Sequence, residues 1–410
     1  MPSSLNQIKF ISFKCLEGFI ALFLKPLSYI FPRDPKQIAI GAWSGRNFSD
    51  NAKYFALYLL EHTDYKLTWI GKPYVEQLLP KHPNLTFARF GSIKATWHVL
   101  RAKFWFYTHL PFGDLTELPV LGRGKSISLW HGIPIKRLGG SCSDYRTPNE
   151  SLARKIWGLL MRIPPPHFST SNDEMTTAMI SGYPDQYRRV NALPYGSPRI
   201  DYLINNQSNT ALLSNLKNQY AKLLGFSTAK RIVLYLPTFR HSSSNKCFSS
   251  LPPEDLRNLS SILDQYNAIL IEKLHPSVIA NQSKTANTNQ IVTITAEQSK
   301  KVDVQHLLLI ADVLICDYSS VYLDFAVLKR PIIHYAYDLE SYTSADSGLL
   351  YNLKDIAGGT IVSNLDGLIT ELNTTLRSGT FNPKPQMKSL LRYENGNACD
   401  RLLNFICAPR

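Results

Sequence analysis

The sequence predicts an α/β protein of two units, each carrying a parallel sheet. Three observations carry this expectation. Short apolar runs alternate with amphipathic stretches between about residues 38 and 130. The alternation restarts after a polar, Asn- and Ser-rich segment at 205–218, which marks a break near residue 200. A chain of 410 residues also exceeds what one ordinary core holds.

The elements follow in order. Residues 38–41 (Ile-Ala-Ile-Gly) read as a first strand, and a polar loop runs through Asp50. Residues 51–61 read as a helix with an apolar face of Tyr54, Leu57, Tyr58 and Leu60. Strands are expected at 66–70, 102–108 and 125–130 in the first unit, and at 231–236, 267–274, 290–295, 313–316 and 331–335 in the second. An apolar run, 307–315, leads into Asp317-Tyr318-Ser319-Ser320, after which a helix begins at Val321. A last amphipathic helix, 399–406, is expected to pack back on the first unit. The predicted segments are therefore 1–35, 36–200, 201–395 and 396–410.

Segment 1–35 is amphipathic rather than membrane-spanning. Its Phe-, Leu- and Ile-rich stretch at 10–31 is interrupted by Lys14, Glu17, Lys25 and Pro26. Ile8, Ile11, Cys15, Phe19 and Phe23 recur at helical spacing, which suits a helix packed on the protein or one lying on a membrane surface. The second reading is favoured here.

Hydrophobic residues make up 44% and charged residues 19%, which excludes wholesale disorder. The net charge of +14 suits a polyanionic partner: nucleic acid, anionic headgroups or a phosphate-rich polymer. No RNA-recognition signature, zinc-finger spacing or basic heptad is present, so no nucleic-acid partner is expected. Cys15, Cys142, Cys247, Cys316, Cys399 and Cys407 lack C-x-x-C spacing, which argues for a reducing compartment and against a disulfide framework.

Four loops at predicted strand ends carry chemistry. In Leu129-Trp130-His131-Gly132-Ile133-Pro134-Ile135-Lys136-Arg137, the strand delivers His131 to its mouth, the place for a general base on a hydroxyl. Lys136 and Arg137 suit an anionic substrate. In Leu236-Pro237-Thr238-Phe239-Arg240, a hydroxyl and a guanidinium are phosphate ligands by chemistry. Lys273-Leu274-His275-Pro276 places a second histidine where it could stabilise a leaving phosphate. Asp317-Tyr318-Ser319-Ser320 feeds two hydroxyls to a helix start, a seat for a phosphate or simply a helix cap. Asp303 and Asp312 are too isolated to read as metal ligands. No cofactor is called for, and a divalent metal stays open.

At these residues the chain resembles the CDP-glycerol glycerophosphotransferases, the teichoic acid primases and polymerases. The shared blocks are His131-Gly132-x-Pro134-x-Lys136-x-Leu138-Gly139, Pro237-Thr238-x-Arg240, Leu274-His275-Pro276 and the run from Asp317 through Asp324-Phe325-Ala326 to Arg330-Pro331-Ile332. The similarity runs from about Ile38, with Asp50-Asn51-Ala52-Lys53 near its start, to Asn395-Gly396-Asn397-Ala398. Where the family has Gly-Tyr-Pro-Arg-Asn-Asp, this chain has Gly196-Ser197-Pro198-Arg199-Ile200-Asp201.

The resemblance implies a GT-B-like fold, two Rossmann-like domains facing across a cleft with the donor on the C-terminal one. It implies a peripheral enzyme of the cytoplasmic membrane face, in teichoic-acid-like or capsule polymer synthesis. Such an enzyme moves glycerol phosphate from CDP-glycerol to a hydroxyl of a glycan, lipid-linked or polyol-phosphate acceptor and releases CMP. Its catalytic candidates are His131 and His275. The donor would be held by Thr238, Arg240, His275, Asp317, Ser319, Ser320 and Asp324, and the acceptor by Asp50, Asn51, Lys136 and Arg137. The rival expectations are a CDP-ribitol or nucleotide-sugar transferase on the same scaffold, and a non-catalytic basic protein that binds polyanions or anionic lipid.

Overall fold

The computed structural model describes residues 23–118, 121–136, 166–182, 191–238, 247–274, 288–340, 342 and 349–408. The chain divides into two compact units. One takes the chain up to His131, returns for the residues before Ile200, and is completed from Asn397 on. The other takes Ile200–Gly396 together with the short segment that begins at Gly132.

The first unit runs β1 (Asp34–Gly41), α1 (Asp50–His62), β2 (Lys66–Gly71), β3 (Leu85–Arg89), α2 (Ile93–Arg101), β4 (Ala102–Tyr107), β5 (Lys125–Ser128), β6 (His167–Ser169), α3 (Asp173–Gly182) and β7 (Asn191–Leu193). Its seven strands are all parallel, in the order β3-β2-β1-β4-β5-β6-β7. The sheet is covered on both faces, which explains why its strands read as continuous apolar runs. In β4, Phe104 and Phe106 point into the core shared with α1, whereas Trp105 and Tyr107 join the core under α2. Fully burying such side chains contributes roughly 1.5–3 kcal/mol each.

Helix α1 buries Ala52, Phe55, Ala56 and Leu59, spaced as one helical stripe, with Tyr54 and Leu60 beside them. Leu57 and Tyr58, expected on that face, are only half-buried. The Tyr58 hydroxyl instead donates to Asp400 on the final helix.

The second unit runs from Ile200 within α4 (Pro198–Asn206) through α5 (Thr210–Leu224), β8 (Arg231–Leu236), α6 (Pro253–Gln265), β9 (Ala268–Glu272), β10 (Ile291–Thr293), α7 (Val304–Ile310), β11 (Val313–Cys316), α8 (Val321–Ala326), β12 (Ile332–Tyr335), β13 (Thr360–Val362) and α9 (Leu365–Ser378). Its strands are again all parallel, in the order β10-β9-β8-β11-β12-β13. Ile232, Leu234 and Leu236 face one core, and Val233 and Tyr235 face the other. The polar segment at 205–218, after which the alternation restarts, is mostly helix: Asn209 caps α5 by accepting from the Leu212 amide. The apolar run 307–315 is likewise two elements. Helix α7 ends at Ile310, the chain reverses at Ala311 and Asp312, and β11 follows, while Arg330 donates to the Leu309 and Ala311 carbonyls at the reversal.

The chain ends in α10 (Ala398–Cys407), whose Cys399, Leu402 and Ile406 lie in the same core as α1. Most of the proposed N-terminal amphipathic helix, with Ile8, Ile11, Cys15 and Phe19, lies outside the described residues. Its end, residues 23–30, is helical, with Phe23 and Ile30 largely exposed and Ser28 buried. Among the described residues no helix is long and apolar enough to cross a membrane.

Both sheets reverse their winding once, between β1 and β4 in the first and between β8 and β11 in the second. Adjacent loops diverge at such a point, and α/β sheets bind ligands at its carboxyl-terminal end.

Candidate active site

In the first unit, β1 runs out into Trp43 and Ser44, β4 into Thr108 and His109, and β5 into Trp130 and His131. The backbone there is strained. Of the six non-glycine residues with positive φ among those described, Trp43, Ser44, Asp50 and Trp130 lie in these loops or beside them. Such conformations cost on the order of 1–3 kcal/mol each and persist only where the surroundings enforce them.

The enforcement is a dense polar frame. Asp114, fully buried, accepts from the Ser44, Thr108 and His109 amides at 2.7, 2.8 and 2.9 Å. Asn51 donates through its amide nitrogen to the Leu129 and Trp130 carbonyls and accepts from the Arg199 amide. Arg199 Nη1 lies 2.8 Å from both Asp50 Oδ1 and the His131 carbonyl. Trp43 Nε1 donates to the other Asp50 oxygen at 3.1 Å.

His131 sits inside this frame. Its ring stacks on His109 at 4.1 Å and 7° and on Trp130 at 4.3 Å and 29°. Its Nδ1 is 3.1 Å from the Thr108 carbonyl, which can only accept, so Nδ1 carries the proton and Nε2 keeps its lone pair. Burial, then the neighbouring His109, pushes the His131 pKa down to about 4, against the opposing pull of Asp50. At neutral pH the imidazole therefore carries no charge, and its Nε2 can take a proton.

In the second unit the corresponding loops follow β8 and β11. The Thr238 amide donates to Asp317 Oδ1 at 2.8 Å, tying the two strand ends together. His334 on β12 donates from Nδ1 to the Asp317 carbonyl at 3.1 Å and accepts the Gly358 amide on Nε2 at 3.0 Å. Complete burial pushes its pKa down to about 4. The Tyr318 hydroxyl donates to Asp338 and its ring stacks on Tyr342 at 4.3 Å. These contacts fix the backbone on which Ser319 and Ser320 stand, partly exposed, and the Ser320 hydroxyl makes no bond to its own helix.

The remaining expected residues fall as follows. Asp50 and Asn51 are buried in the frame around His131. Asp317 and Asp324 are buried carboxylates, and Asp324 accepts from Gln305 Nε2 at 3.0 Å. Thr238 is almost wholly buried. Lys136 lies in the second unit, its ammonium 5.2 Å over the Tyr342 ring. Arg137, Arg240 and His275 lie outside the described residues. Among the described residues no cluster of three or more His, Cys, Asp or Glu could hold a metal ion.

Sequence reasoning passed over Trp43, His109, Asp114, Arg199 and His334. Two signals were available: His109 directly follows a predicted strand, and Arg199 lies in the Gly196–Asp201 segment noted for its departure from the family pattern.

The chain is similar to known proteins over most of its length. Residues 23–408 match the family model described as CDP-Glycerol:Poly(glycerophosphate) glycerophosphotransferase. A teichoic acid poly(glycerol phosphate) polymerase of Bacillus spizizenii is 28% identical over 378 residues, covering 88% of this chain and 91% of that protein. A teichoic acid glycerol-phosphate transferase of Staphylococcus aureus is 28% identical over 369 residues, covering 90% and 89%. The solved structure of the wall teichoic acid polymerase TagF matches with a TM-score of 0.74 and 22% identity over 98% of this chain and 96% of that one, so the fold is GT-B-like.

Proposed function

The chain belongs to the CDP-glycerol:poly(glycerophosphate) glycerophosphotransferase family, and we propose that it transfers glycerol phosphate from CDP-glycerol to an acceptor hydroxyl with release of CMP. The observation that carries the reading is the neutral His131 imidazole, tied by Nδ1 and bearing its Nε2 lone pair just past β5, one strand beyond the first sheet's winding reversal.

In this mechanism the acceptor hydroxyl gives its proton to His131 Nε2. The oxygen forms a bond to the β-phosphorus of CDP-glycerol, the bond from that phosphorus to the bridging oxygen breaks, and CMP leaves with the electron pair. A positioned base of this kind supplies about 10²–10⁴-fold. The phosphate ligands come from the second unit's sequence: the Ser319 and Ser320 hydroxyls and Thr238, with Arg240 and His275. Their donors act on charge that develops as the diphosphate bond opens. Asp317 acts through the Thr238 amide it holds, and Asp324 through the Gln305 side chain. Asp50 and Asn51 position the His131 loop, and Lys136 with Arg137 attract an anionic acceptor.

The same reading sets the enzyme on an anionic membrane surface at its cytoplasmic face, in teichoic-acid-like or capsule polymer synthesis. The exposed Phe23, Leu27, Ile30, Ile93 and Trp97 support it, as does the net charge of +14.

The test is incubation of the purified chain with CDP-glycerol and hydroxyl-bearing acceptors, following CMP and the mass of the product. The reading expects equimolar CMP and added glycerol phosphate. CDP-ribitol and nucleotide-sugar donors run in parallel, and turnover with one of those alone would replace the donor. No CMP from any donor would leave a binding protein.

A further inference from the structure

The second unit holds a cavity of about 490 Å³ that the transfer just described does not use. It lies at the amino-terminal end of that unit's sheet. Thr228, Asp312 and Arg330 line it, and they stand just ahead of β8, β11 and β12 respectively. Ser214, Lys217 and Asn218 line it from α5. The Thr238 and Asp317 loops leave the opposite ends of β8 and β11, roughly 13–20 Å away for strands of this length. The polar side chains of the cavity are held in place but keep spare atoms. Arg330 spends Nη1 on the Leu309 and Ala311 carbonyls at 2.7 Å each, while its Nε and Nη2 bond nothing among the described residues. Asp312 Oδ2 accepts the Ile232 amide at 2.7 Å, and Oδ1 bonds nothing among them. Burial lowers the Arg330 pKa and the Asp312 charge opposes that shift, so the two groups are near each other, yet they form no ion pair. The side chains of Ser214, Lys217, Asn218 and Thr228 also have no partner among the described residues.

We propose that this cavity is a second ligand site, which takes a small phosphate ester bearing free hydroxyls. Lys217 and the spare guanidinium nitrogens of Arg330 bind the phosphate, and Asp312 Oδ1 accepts from a hydroxyl. A bare anion fits poorly. The volume lies in the range of pockets for organic ligands, about 300–1,000 Å³, and Asp312 repels an anion that offers it no proton. A cation is disfavoured by two positive side chains against one carboxylate. An apolar ligand would cut these polar groups off from water and return no bonds. Lys217 and Asp312 have no part in the transfer, so the site stands apart from the CDP-glycerol reading.

The experiment titrates ribose 5-phosphate and inorganic phosphate into the full chain by calorimetry at physiological salt, with and without saturating CDP-glycerol. The wild type is expected to bind the ester about tenfold tighter than inorganic phosphate, in either case. Lys217→Gln should weaken both by about tenfold or more. Asp312→Asn keeps an oxygen for the Ile232 amide but turns the free oxygen into a donor. It should weaken the ester and leave inorganic phosphate bound at least as tightly. In methyl-labelled protein the ester should shift the signals of Leu213, Leu309 and Ile310, which line the cavity. No binding to the wild type, affinity that survives Lys217→Gln, equal affinity for the two probes, or displacement by CDP-glycerol each overturns the site. CMP release from CDP-glycerol should be the same in Lys217→Gln and the wild type, so the two readings fail separately.

Discussion

Removing Arg199 tests the frame that holds the candidate base. Its Nη1 bridges Asp50 Oδ1 and the His131 carbonyl at 2.8 Å each, and the two side chains of the ion pair are only 9% and 4% exposed. Arg199→Met keeps much of the volume and deletes the charge. Breaking a buried pair by removing one partner costs about 3–5 kcal/mol, because the remaining charge is stranded. Asp50 retains bonds from Trp43 Nε1 and the Asn51 amide, which argues for the lower end, about 3 kcal/mol. Asp50→Asn in the same chain removes the stranded charge, and asparagine tolerates the left-handed φ of +65° at that position. The double variant should therefore lose clearly less than the sum of the singles, with a coupling of about 2 kcal/mol or more. The assay is urea unfolding followed by tryptophan fluorescence. Trp43, Trp69, Trp97, Trp105 and Trp130 all belong to the first unit and the second contains no tryptophan, so the signal reports on the unit in question. A loss below about 1 kcal/mol in Arg199→Met, or strict additivity in the double variant, would refute the claim that this pair holds the loop.

Three further outcomes are expected. His334 has a folded-state pKa of about 4 against an ordinary value near 6.5, so its neutral form is favoured on folding. Its contribution is present in full above pH 6.5 and is lost as pH falls toward 4, by about 3 kcal/mol. His334→Asn should flatten the unfolding free energy over that window, and identical pH slopes would contradict the assignment. Ser319→Ala combined with Ser320→Ala should weaken CDP-glycerol binding by tenfold or more in calorimetry, and unchanged affinity removes the serines from the donor site. Ile93→Asp with Trp97→Asp should reduce sedimentation with vesicles containing acidic phospholipid, whereas unaltered binding would place the membrane contact elsewhere.

The legible parts of this molecule were those governed by local burial. Strands 231–236 and 313–316 match their expected bounds to the residue, because a strand covered on both faces is an uninterrupted apolar run. Strands β6, β7 and β13, of three residues each, carry no period to detect. Strand β5 ends two residues before the expected 125–130, since nothing local says that Trp130 turns left-handed. His131 and the Asp317–Ser320 loop stand out because each directly follows a predicted strand. Their supports do not. Arg199 meets Asp50 across 149 positions and Asp114 meets Ser44 across 70, so only the folded chain brings them together. Asp50 and Asn51 are expected from the sequence to touch the acceptor, and in the structure their atoms bond the loop beside His131.

The most direct test of the account replaces His131 by Asn, which keeps a donor for the Thr108 carbonyl but no nitrogen lone pair. CMP release from CDP-glycerol in the presence of acceptor should fall by at least about a hundredfold, while calorimetric binding of CDP-glycerol stays within a few-fold of the wild type. Turnover at the wild-type rate would contradict the central claim that this imidazole takes the acceptor's proton.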